Sequence, residues 1–201
     1  MFEDTYKTVK RDSQGSYSEK GSKFISLVFP VRSEEEVKRH LADIKKSYYD
    51  ARHHCYAYIL GPTKSSYRAN DDGEPSGTAG RPIYGQLLSR DLTNVLVVVV
   101  RYFGGTKLGV PGLINAYRTA AADALDANEI VEKTVEEKYG ITFGYEAMNR
   151  VMQILKTDSV KINSQAYDHK YRIDFTIRRR DADAVLASLR KIENLDVEIV
   201  N

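Results

Sequence analysis

The sequence predicts an α+β protein made of two consecutive domains. Its 201 residues are enough for one or two domains. Apolar residues alternate in some stretches, as in strands, and recur at helical spacing in others. Charged residues cluster around positions 132–137, between two parts of the chain with different organisation. We therefore predict one domain over residues 1–133 and a second over residues 134–201.

The first domain is predicted to begin with three strands and a capped helix. The three segments with strand character are residues 6–10, 16–20 and 23–31. Ser33 and Glu36 then have the spacing of a capping box, in which each side chain accepts a hydrogen bond from a free backbone amide. The helix that follows presents one apolar stripe, formed by Val37, Leu41, Ile44 and Tyr48.

The rest of the first domain is predicted to surround a buried strand. The elements before it are a strand at residues 53–60, a loop-rich stretch at 61–80 and a short helix at 82–90. Residues 94–101 contain an uninterrupted, mostly β-branched run, which is typical of a strand buried on both faces. A long helix is expected over residues 111–127, because Pro111 suits a first helical turn.

The second domain shows the clearest pattern of the chain. Its predicted elements are a strand at 139–143, a helix at 147–155, strands that begin at 160 and 171, a helix with Asp181 as its N-cap residue, and a strand at 195–199. This βαββαβ order is the arrangement of ferredoxin-like domains. Alternation along residues 171–177 predicts a strand with one buried face. We expect a four-stranded antiparallel sheet with two helices on one face.

Composition excludes several classes of protein. The net charge is only +2, from 30 basic and 28 acidic residues, so any nucleic-acid surface must come from local clustering of cations. Cys55 is the single cysteine, which rules out an internal disulfide and fits a reducing compartment. The N-terminus lacks the pattern of a signal peptide, and the apolar run Val95–Val100 is too short to span a bilayer. We expect a cytoplasmic protein without membrane contact.

The first candidate site is the glycine-rich segment Arg101–Leu113, between the buried strand and the long helix. Glycines let backbone amides approach a ligand, and a helix N-terminus favours an anion. A phosphate-like anion is therefore predicted at residues 104–112, held by Gly104, Gly105, Thr106 and Lys107. The Gly-Lys-Ser/Thr order of a Walker A motif is absent. The alternative is that the glycines serve only tight turns and close packing.

The second candidate segment, Asp71–Gly80, carries three carboxylates: Asp71, Asp72 and Glu74. They would suit a Mg²⁺ or Ca²⁺ site with oxygen ligands, or general acid–base catalysis. The spacing does not fit an EF-hand loop. The interpretation that we favour is a polar turn whose aspartates accept hydrogen bonds from backbone amides. No metal site, no cofactor and no catalytic residue is predicted.

The adjacent residues His53, His54 and Cys55 would suit a metal site or a nucleophile. Neighbouring residues on a strand point to opposite faces, so the two histidines are not expected to bind one ion. Cys55 has no local activating pattern, and a structural role is expected. Tyr56 and Tyr58 share a face and are expected either to pack within the sheet or to stack on unpaired bases.

These segments together resemble a known family. The stretches Asp72–Gly80, Val97–Gly109 and His53–Tyr58 look like the YigZ/IMPACT family, and the resemblance covers the whole chain. It implies a ribosomal protein S5 domain 2-like fold for the first domain and a second domain similar to the ferredoxin-like domains of elongation factor G. It implies no catalytic residues.

The same resemblance implies a link to translation. Eukaryotic members of the family regulate translation by competing for the activator of a kinase that acts on an initiation factor. They use an additional N-terminal domain for part of this. In this chain the shared domain is expected to begin almost at Met1, so that particular partner is not carried over.

The predicted function is non-enzymatic binding linked to translation, with RNA, the ribosome or a ribosome-associated protein as partner. The two candidate segments are expected to converge, with Asp72 or Glu74 within side-chain reach of Arg101 or Lys107. The cations expected to form a basic rim around them are Arg68, Arg81, Arg101, Lys107 and Arg118.

Two alternative functions stay open. One is an enzyme acting on a phosphorylated small molecule at the glycine-rich loop, by analogy of fold. The other is a protein-interaction module that docks through its second domain. The oligomeric state is not predicted.

Overall fold

The computed structural model describes residues 4–200, which form an α+β protein. The chain divides into two compact units. One unit contains Tyr6–Lys133, and the other contains residues 134–200 together with Asp4 and Thr5. No helix in this described part of the chain is long and apolar enough to cross a membrane.

The first unit is centred on a five-stranded sheet. The strands up to the boundary are β1 (Thr5–Val9), β2 (Ser13–Glu19), β3 (Ser22–Pro30), β4 (His53–Leu60), β5 (Ser66–Asn70), β6 (Val95–Tyr102) and β7 (Ile130–Thr134). The helices are α1 (Glu34–Ser47), α2 (Gly80–Ser89) and α3 (Gly109–Asp126). Strand β1 pairs with β7, and the other five strands form an antiparallel sheet in the order β2-β3-β6-β4-β5.

Strand β6 lies at the centre of this sheet and separates two apolar cores. Val95, Val97 and Val99 pack in the core that contains residues of α2 and α3. The alternate residues, Leu96, Val98 and Val100, pack in the core that contains residues of α1. Every residue from Val95 to Arg101 is buried. The prediction of a strand buried on both faces is confirmed.

The starts of α1 and α3 agree with signals in the sequence. The hydroxyl oxygen of Ser33 accepts a hydrogen bond from the backbone amide of Glu36 at 3.2 Å, at the start of α1. The Glu36 carboxylate accepts a hydrogen bond from the amide of Arg32 at 3.0 Å. Helix α3 begins at Gly109, two residues before the predicted start. Pro111 therefore lies in the first turn, where its missing N–H costs no helical hydrogen bond.

The second unit has the predicted βαββαβ order. Its elements are β8 (Glu136–Phe143), α4 (Met148–Leu155), β9 (Val160–Asp168), β10 (Lys170–Arg178), α5 (Arg179–Leu189) and β11 (Asp196–Ile199). The strands form one antiparallel sheet in the order β11-β8-β10-β9. One face of the sheet packs with both helices in a single core. The expected four-stranded sheet with two helices on one face is confirmed.

The start of α5 differs from the prediction. The helix begins at Arg179, and the residue at its N-cap position is Arg178, whose side chain makes no capping hydrogen bond. The prediction of Asp181 as N-cap residue is wrong, because β10 runs directly into the helix without a loop. Asp181 lies within the first turn instead, where its negative charge interacts favourably with the helix dipole.

Candidate functional site

The register of the central sheet brings three chemically different side chains side by side. Arg101 on β6 lies directly opposite Phe24 on β3 and directly opposite His53 on β4. Residues opposite each other on neighbouring strands share a face of the sheet. Here that face is the one covered by α2 and α3. A cation is therefore placed between an aromatic ring and an imidazole.

A buried ion pair neutralises Arg101. Its Nη1 donates to Glu74 Oε1 at 2.6 Å, and the hydroxyl of Tyr117 donates to the same oxygen at 2.6 Å. Arg101 is only 5% exposed and Glu74 only 8%. Burial of an unpaired charge is strongly unfavourable, so the guanidinium and the carboxylate require each other. Burial also raises the pKa of Tyr117, so its hydroxyl stays protonated and remains a donor.

This ion pair joins the two candidate segments. Glu74 belongs to the acidic turn, and Arg101 begins the glycine-rich segment 27 residues later. The prediction that the two segments converge is confirmed by this contact. The pair also corrects a predicted role. Arg101 is not part of an exposed basic rim, because Glu74 and the neighbouring strands remove it from solvent.

Two phenylalanine rings flank the guanidinium of Arg101. Its Cζ atom lies 5.5 Å from the ring centroid of Phe24 and 5.5 Å from that of Phe103. A guanidinium at this distance is attracted to the face of an aromatic ring. Phe24 is fully buried, whereas Phe103 is 48% exposed. Phe103 is therefore a solvent-accessible aromatic ring that a buried cation anchors.

The two histidines lie on opposite faces of the sheet, as predicted. His53 Nδ1 donates to the carbonyl oxygen of Asp72 at 2.7 Å, which makes Nε2 the unprotonated nitrogen of the neutral ring. This Nε2 lies 3.7 Å from Glu74 Oε1. On the other face, His54 Nε2 donates to the carbonyl oxygen of Tyr48 at 2.8 Å. The backbone amide of His54 also donates to the Asp72 carboxylate at 2.7 Å.

The remaining carboxylate of the acidic turn satisfies backbone amides. Asp71 Oδ1 accepts hydrogen bonds from the amides of Ala79 at 3.1 Å and Gly80 at 2.8 Å, and Oδ2 accepts from Gly77 at 2.9 Å. These amides lie at or just before the start of α2, where helical N–H groups lack partners within the helix. Among residues 4–200, no group of three His, Cys, Asp or Glu side chains is arranged to hold a metal ion. The polar-turn interpretation is therefore confirmed for Asp71.

Cys55 is a core residue. It is fully buried, and its Sγ donates to the carbonyl oxygen of Asp71 at 3.0 Å. Burial raises the pKa of its thiol far above the ordinary value. Only the thiolate is a good nucleophile, so we expect this cysteine to react slowly in the folded protein. The structural role expected from the sequence is confirmed.

A cavity of about 460 Å³ lies beside the Arg101–Glu74 pair. Its apolar lining consists of Pro75, Phe103, Leu108, Val110 and Leu113, with Gly109 between them. Its polar lining consists of Arg52, His53, Glu74, Arg101 and Lys107. Arg52 and Lys107 are exposed, and neither side chain has an ion-pair partner within residues 4–200. The cavity is thus suited to a ligand that is partly apolar and partly anionic.

The predicted basic rim is distributed differently in the structure. Arg101 and Lys107 line the cavity, the first buried and the second exposed. The other three cations lie outside the cavity lining, on β5, at the start of α2 and on α3: Arg68, Arg81 and Arg118. Sequence reasoning missed Arg52, whose amide donates to the carbonyl oxygen of Arg101 at 2.9 Å. Arg52 directly precedes β4, and only the pairing of β4 with β6 brings it to the cavity, so no signal in the sequence indicated it.

Gly104 and Gly105 serve different purposes in the glycine-rich segment. A Cβ atom on Gly104 would lie 1.9 Å from the carbonyl carbon of Gly21, so only glycine permits this close approach. The amide of Gly104 donates to Ser22 Oγ at 3.2 Å, which engages it within the protein and corrects its predicted role in anion binding. Gly105 has a φ of 85° and is exposed together with Thr106 and Lys107. Within the predicted anion site, residues 104–107 and 109–111 are exposed, whereas Leu108 is buried.

Comparison with known proteins gives a consistent result. The sequence profile of the Impact N-terminal domain matches residues 20–125. The chain is 30% identical over 190 residues to the IMPACT family member YvyE of Bacillus subtilis, covering 94% of this chain and 88% of that protein. It is 34% identical over 148 residues to the IMPACT family member YigZ of Escherichia coli, covering 72% of each chain. A crystal structure described as that of a hypothetical protein superposes with a TM-score of 0.75 at 26% identity, covering 99% of this chain and 98% of that chain.

Proposed function

This chain belongs to the IMPACT family, and we propose that it is a non-enzymatic binding protein linked to translation, whose first unit contacts RNA. The RNA is either free or presented by the ribosome or a ribosome-associated particle. The resemblance of the sequence to a family with translational regulators supports the link to translation. The chemistry of the cavity supports RNA as the ligand.

The proposal includes two fold assignments and a location. The βαββαβ order and the sheet order β11-β8-β10-β9 support a ferredoxin-like second unit. The family resemblance supports a ribosomal protein S5 domain 2-like first unit. The single reduced and buried Cys55 supports a cytoplasmic location.

One observation carries the proposed RNA contact. Phe103 is 48% exposed and lines a cavity together with Arg52 and Lys107, two cations without an ion-pair partner among residues 4–200. Proteins that bind single-stranded nucleic acids stack bases on accessible aromatic rings and neutralise the backbone with nearby cations. The only carboxylate in the described cavity lining, Glu74, is balanced by Arg101 and therefore repels a phosphate little.

The test is the binding of short single-stranded RNA of mixed sequence to the full chain, followed by fluorescence anisotropy at increasing salt. Lys107→Ala and Arg52→Ala are each expected to weaken RNA binding, and the loss of affinity should be the same for RNAs of unrelated sequence. Each should also reduce the slope of log K against log salt by about 0.7, because one phosphate contact is lost. The matched control is Lys45→Ala, since Lys45 is an exposed lysine on α1, on the other face of the sheet. An intact protein that binds no RNA at low salt would contradict the proposal and favour the interaction-module alternative.

A second candidate is an enzyme that acts on a phosphorylated small molecule. The observation that favours it is His53, which lines the cavity with Nε2 3.7 Å from Glu74 Oε1, beyond hydrogen-bonding distance. Such a nitrogen can accept a proton from a bound ligand. His53→Gln separates the two candidates, because it leaves the buried Arg101–Glu74 pair in place. In a binding protein, the variant binds RNA like the wild type, because neither Arg52 nor Lys107 is changed. In an enzyme that uses His53 to accept a proton, turnover is lost while ligand affinity persists.

A further inference from the structure

We propose that the cavity of the first unit binds one unstacked nucleotide of a single-stranded RNA, with the base against Phe103 and the phosphate between Arg52 and Lys107. This inference rests on the proposed function and names the ligand of the same site. Four properties of the cavity support it: its volume, its apolar lining, its charge and the anchoring of Phe103.

The volume of the cavity suits a single nucleotide. Pockets for small molecules measure about 300–1,000 Å³, and this cavity measures about 460 Å³. A base inside a duplex is stacked on both faces, so it cannot contact a wall of the protein without leaving the stack. A base in a single strand is free to turn outward and stack on an aromatic side chain. A cavity that takes one base against a protein side chain therefore favours single-stranded RNA over a duplex.

The apolar lining suits the faces of a nucleobase. Phe103 offers a flat ring for stacking, and 48% of it is accessible to solvent. The aliphatic part of the lining offers further apolar contact: Pro75, Leu108, Val110 and Leu113. Val110 is itself 53% exposed, so a bound base would remove apolar surface of the protein from water.

The charge of the lining suits a phosphate. It contains three permanent cations against one carboxylate, and that carboxylate, Glu74, is balanced by Arg101. The remaining two cations, Arg52 and Lys107, are exposed and have no ion-pair partner within the described chain. They are therefore available for charge-assisted hydrogen bonds to a phosphate. The cavity thus has both halves of a nucleotide-binding site: an apolar lining for the base and two cations for the phosphate.

The anchoring of Phe103 prepares the site for a base. Its ring centroid lies 5.5 Å from Cζ of Arg101, and Arg101 is itself held by Glu74 and by the ring of Phe24. A side chain that is already held in place loses little conformational entropy when a ligand binds. The buried ion pair thus has a consequence at the surface, because it positions the guanidinium that attracts the ring of Phe103.

The test compares Phe103→Ala with the conservative variant Phe103→Tyr in the RNA-binding assay on the full chain. Phe103→Ala is expected to weaken binding about tenfold, because one stacked base is lost. The salt slope should stay unchanged, since no phosphate contact is removed. Phe103→Tyr should retain the wild-type affinity. The matched control is Tyr49→Ala, because Tyr49 is an exposed aromatic residue, 81% accessible, outside the cavity lining.

Competition separates the base from the phosphate. Adenosine 5′-monophosphate should displace a labelled RNA oligonucleotide at lower concentration than either inorganic phosphate or adenosine, because only the nucleotide uses both halves of the site. Duplex RNA of the same length should bind more weakly than the single strand. Thermal unfolding of each variant checks that the fold is intact.

The failure of this inference can be told apart from the failure of the proposed function. If Phe103→Ala binds RNA like the wild type while Lys107→Ala flattens the salt slope, RNA contacts the cations without inserting a base. The proposed function then stands and the nucleotide site is overturned. A nucleotide that competes no better than phosphate overturns it as well. If the wild-type protein binds no RNA, both proposals are wrong.

Discussion

Arg101 and Glu74 are 27 residues apart in the sequence and form a buried ion pair with an Nη1–Oε1 distance of 2.6 Å. The pair connects the end of β6 to the acidic turn before α2. Tyr117 of α3 donates to the same carboxylate oxygen, so three parts of the first unit meet at one atom. This contact holds together the segments that line the cavity, so a variant that removes one partner tests the structure directly.

Glu74→Ala should strongly destabilise the first unit. It leaves the guanidinium of Arg101 buried without a partner, and breaking a buried ion pair from one side costs about 3–5 kcal/mol. Urea denaturation measures the loss in the free energy of unfolding. The control is Lys10→Ala, which removes one partner of an exposed pair, since Lys10 and Glu129 are each 55% accessible. The control should change stability little. A similarly small effect of Glu74→Ala would show that the pair is not essential to the fold.

Gly104→Ala should destabilise the protein, whereas Gly85→Ala should not. A Cβ atom at position 104 meets the backbone of Gly21 and Ser22 at 1.9–2.3 Å, so the glycine-rich segment would have to move. Gly85 lies within α2 with no atom within 4 Å of an added Cβ, and alanine there is expected to raise stability by about 0.5–1 kcal/mol. Melting temperatures of the two variants give the comparison. Equal shifts in the same direction would argue against the crowded contact at Gly104.

The thiol of Cys55 should be protected from chemical modification in the folded protein. It is fully buried, it donates to the carbonyl oxygen of Asp71, and burial raises its pKa. A chromogenic disulfide reagent should therefore react slowly under native conditions and rapidly in denaturant, with one thiol released per chain. Rapid stoichiometric reaction of the native protein at neutral pH would contradict the buried position.

Tyr139 should make the stability of the second unit depend on alkaline pH. Burial, together with a hydrogen bond to the Glu137 carboxylate at 2.7 Å, raises the pKa of Tyr139 to about 12. In the unfolded chain the pKa of the phenol is about 10. The unfolded state therefore loses this proton first, and stability falls as pH rises from about 10 to about 12, with no effect below that range.

The variant Tyr139→Phe isolates this contribution. Between about pH 10 and pH 12 the wild type should lose stability relative to the variant, as measured by urea denaturation across the range. Tyr145→Phe is the control, because Tyr145 is 76% exposed. A difference between wild type and Tyr139→Phe that is constant with pH would show that the phenol titrates alike in the folded and unfolded states.

The sequence by itself determined the features that depend on local spacing. The uninterrupted, mostly β-branched run at residues 94–101 predicted a strand buried on both faces, and periodicity along the second unit predicted its βαββαβ order. The Ser33 cap and the opposite faces of His53 and His54 also follow from the geometry of single elements. These features are local because the periods of strands and helices decide which side chains share a face. Even so, the N-cap of α5 was misplaced, since no loop separates it from β10.

Only the tertiary structure decided which residues form the site. Arg101 was expected in a basic rim around the two candidate segments, yet it is buried and paired with Glu74 beside Phe24 and Tyr117 of α3. Arg52 joins the cavity because β4 pairs with β6, and Gly104 is required because it meets the turn at Gly21. The burial of a charge and the room for a side chain depend on contacts between residues far apart in the chain. Strand register and packing set those contacts, and the spacing of residues within one segment does not predict them.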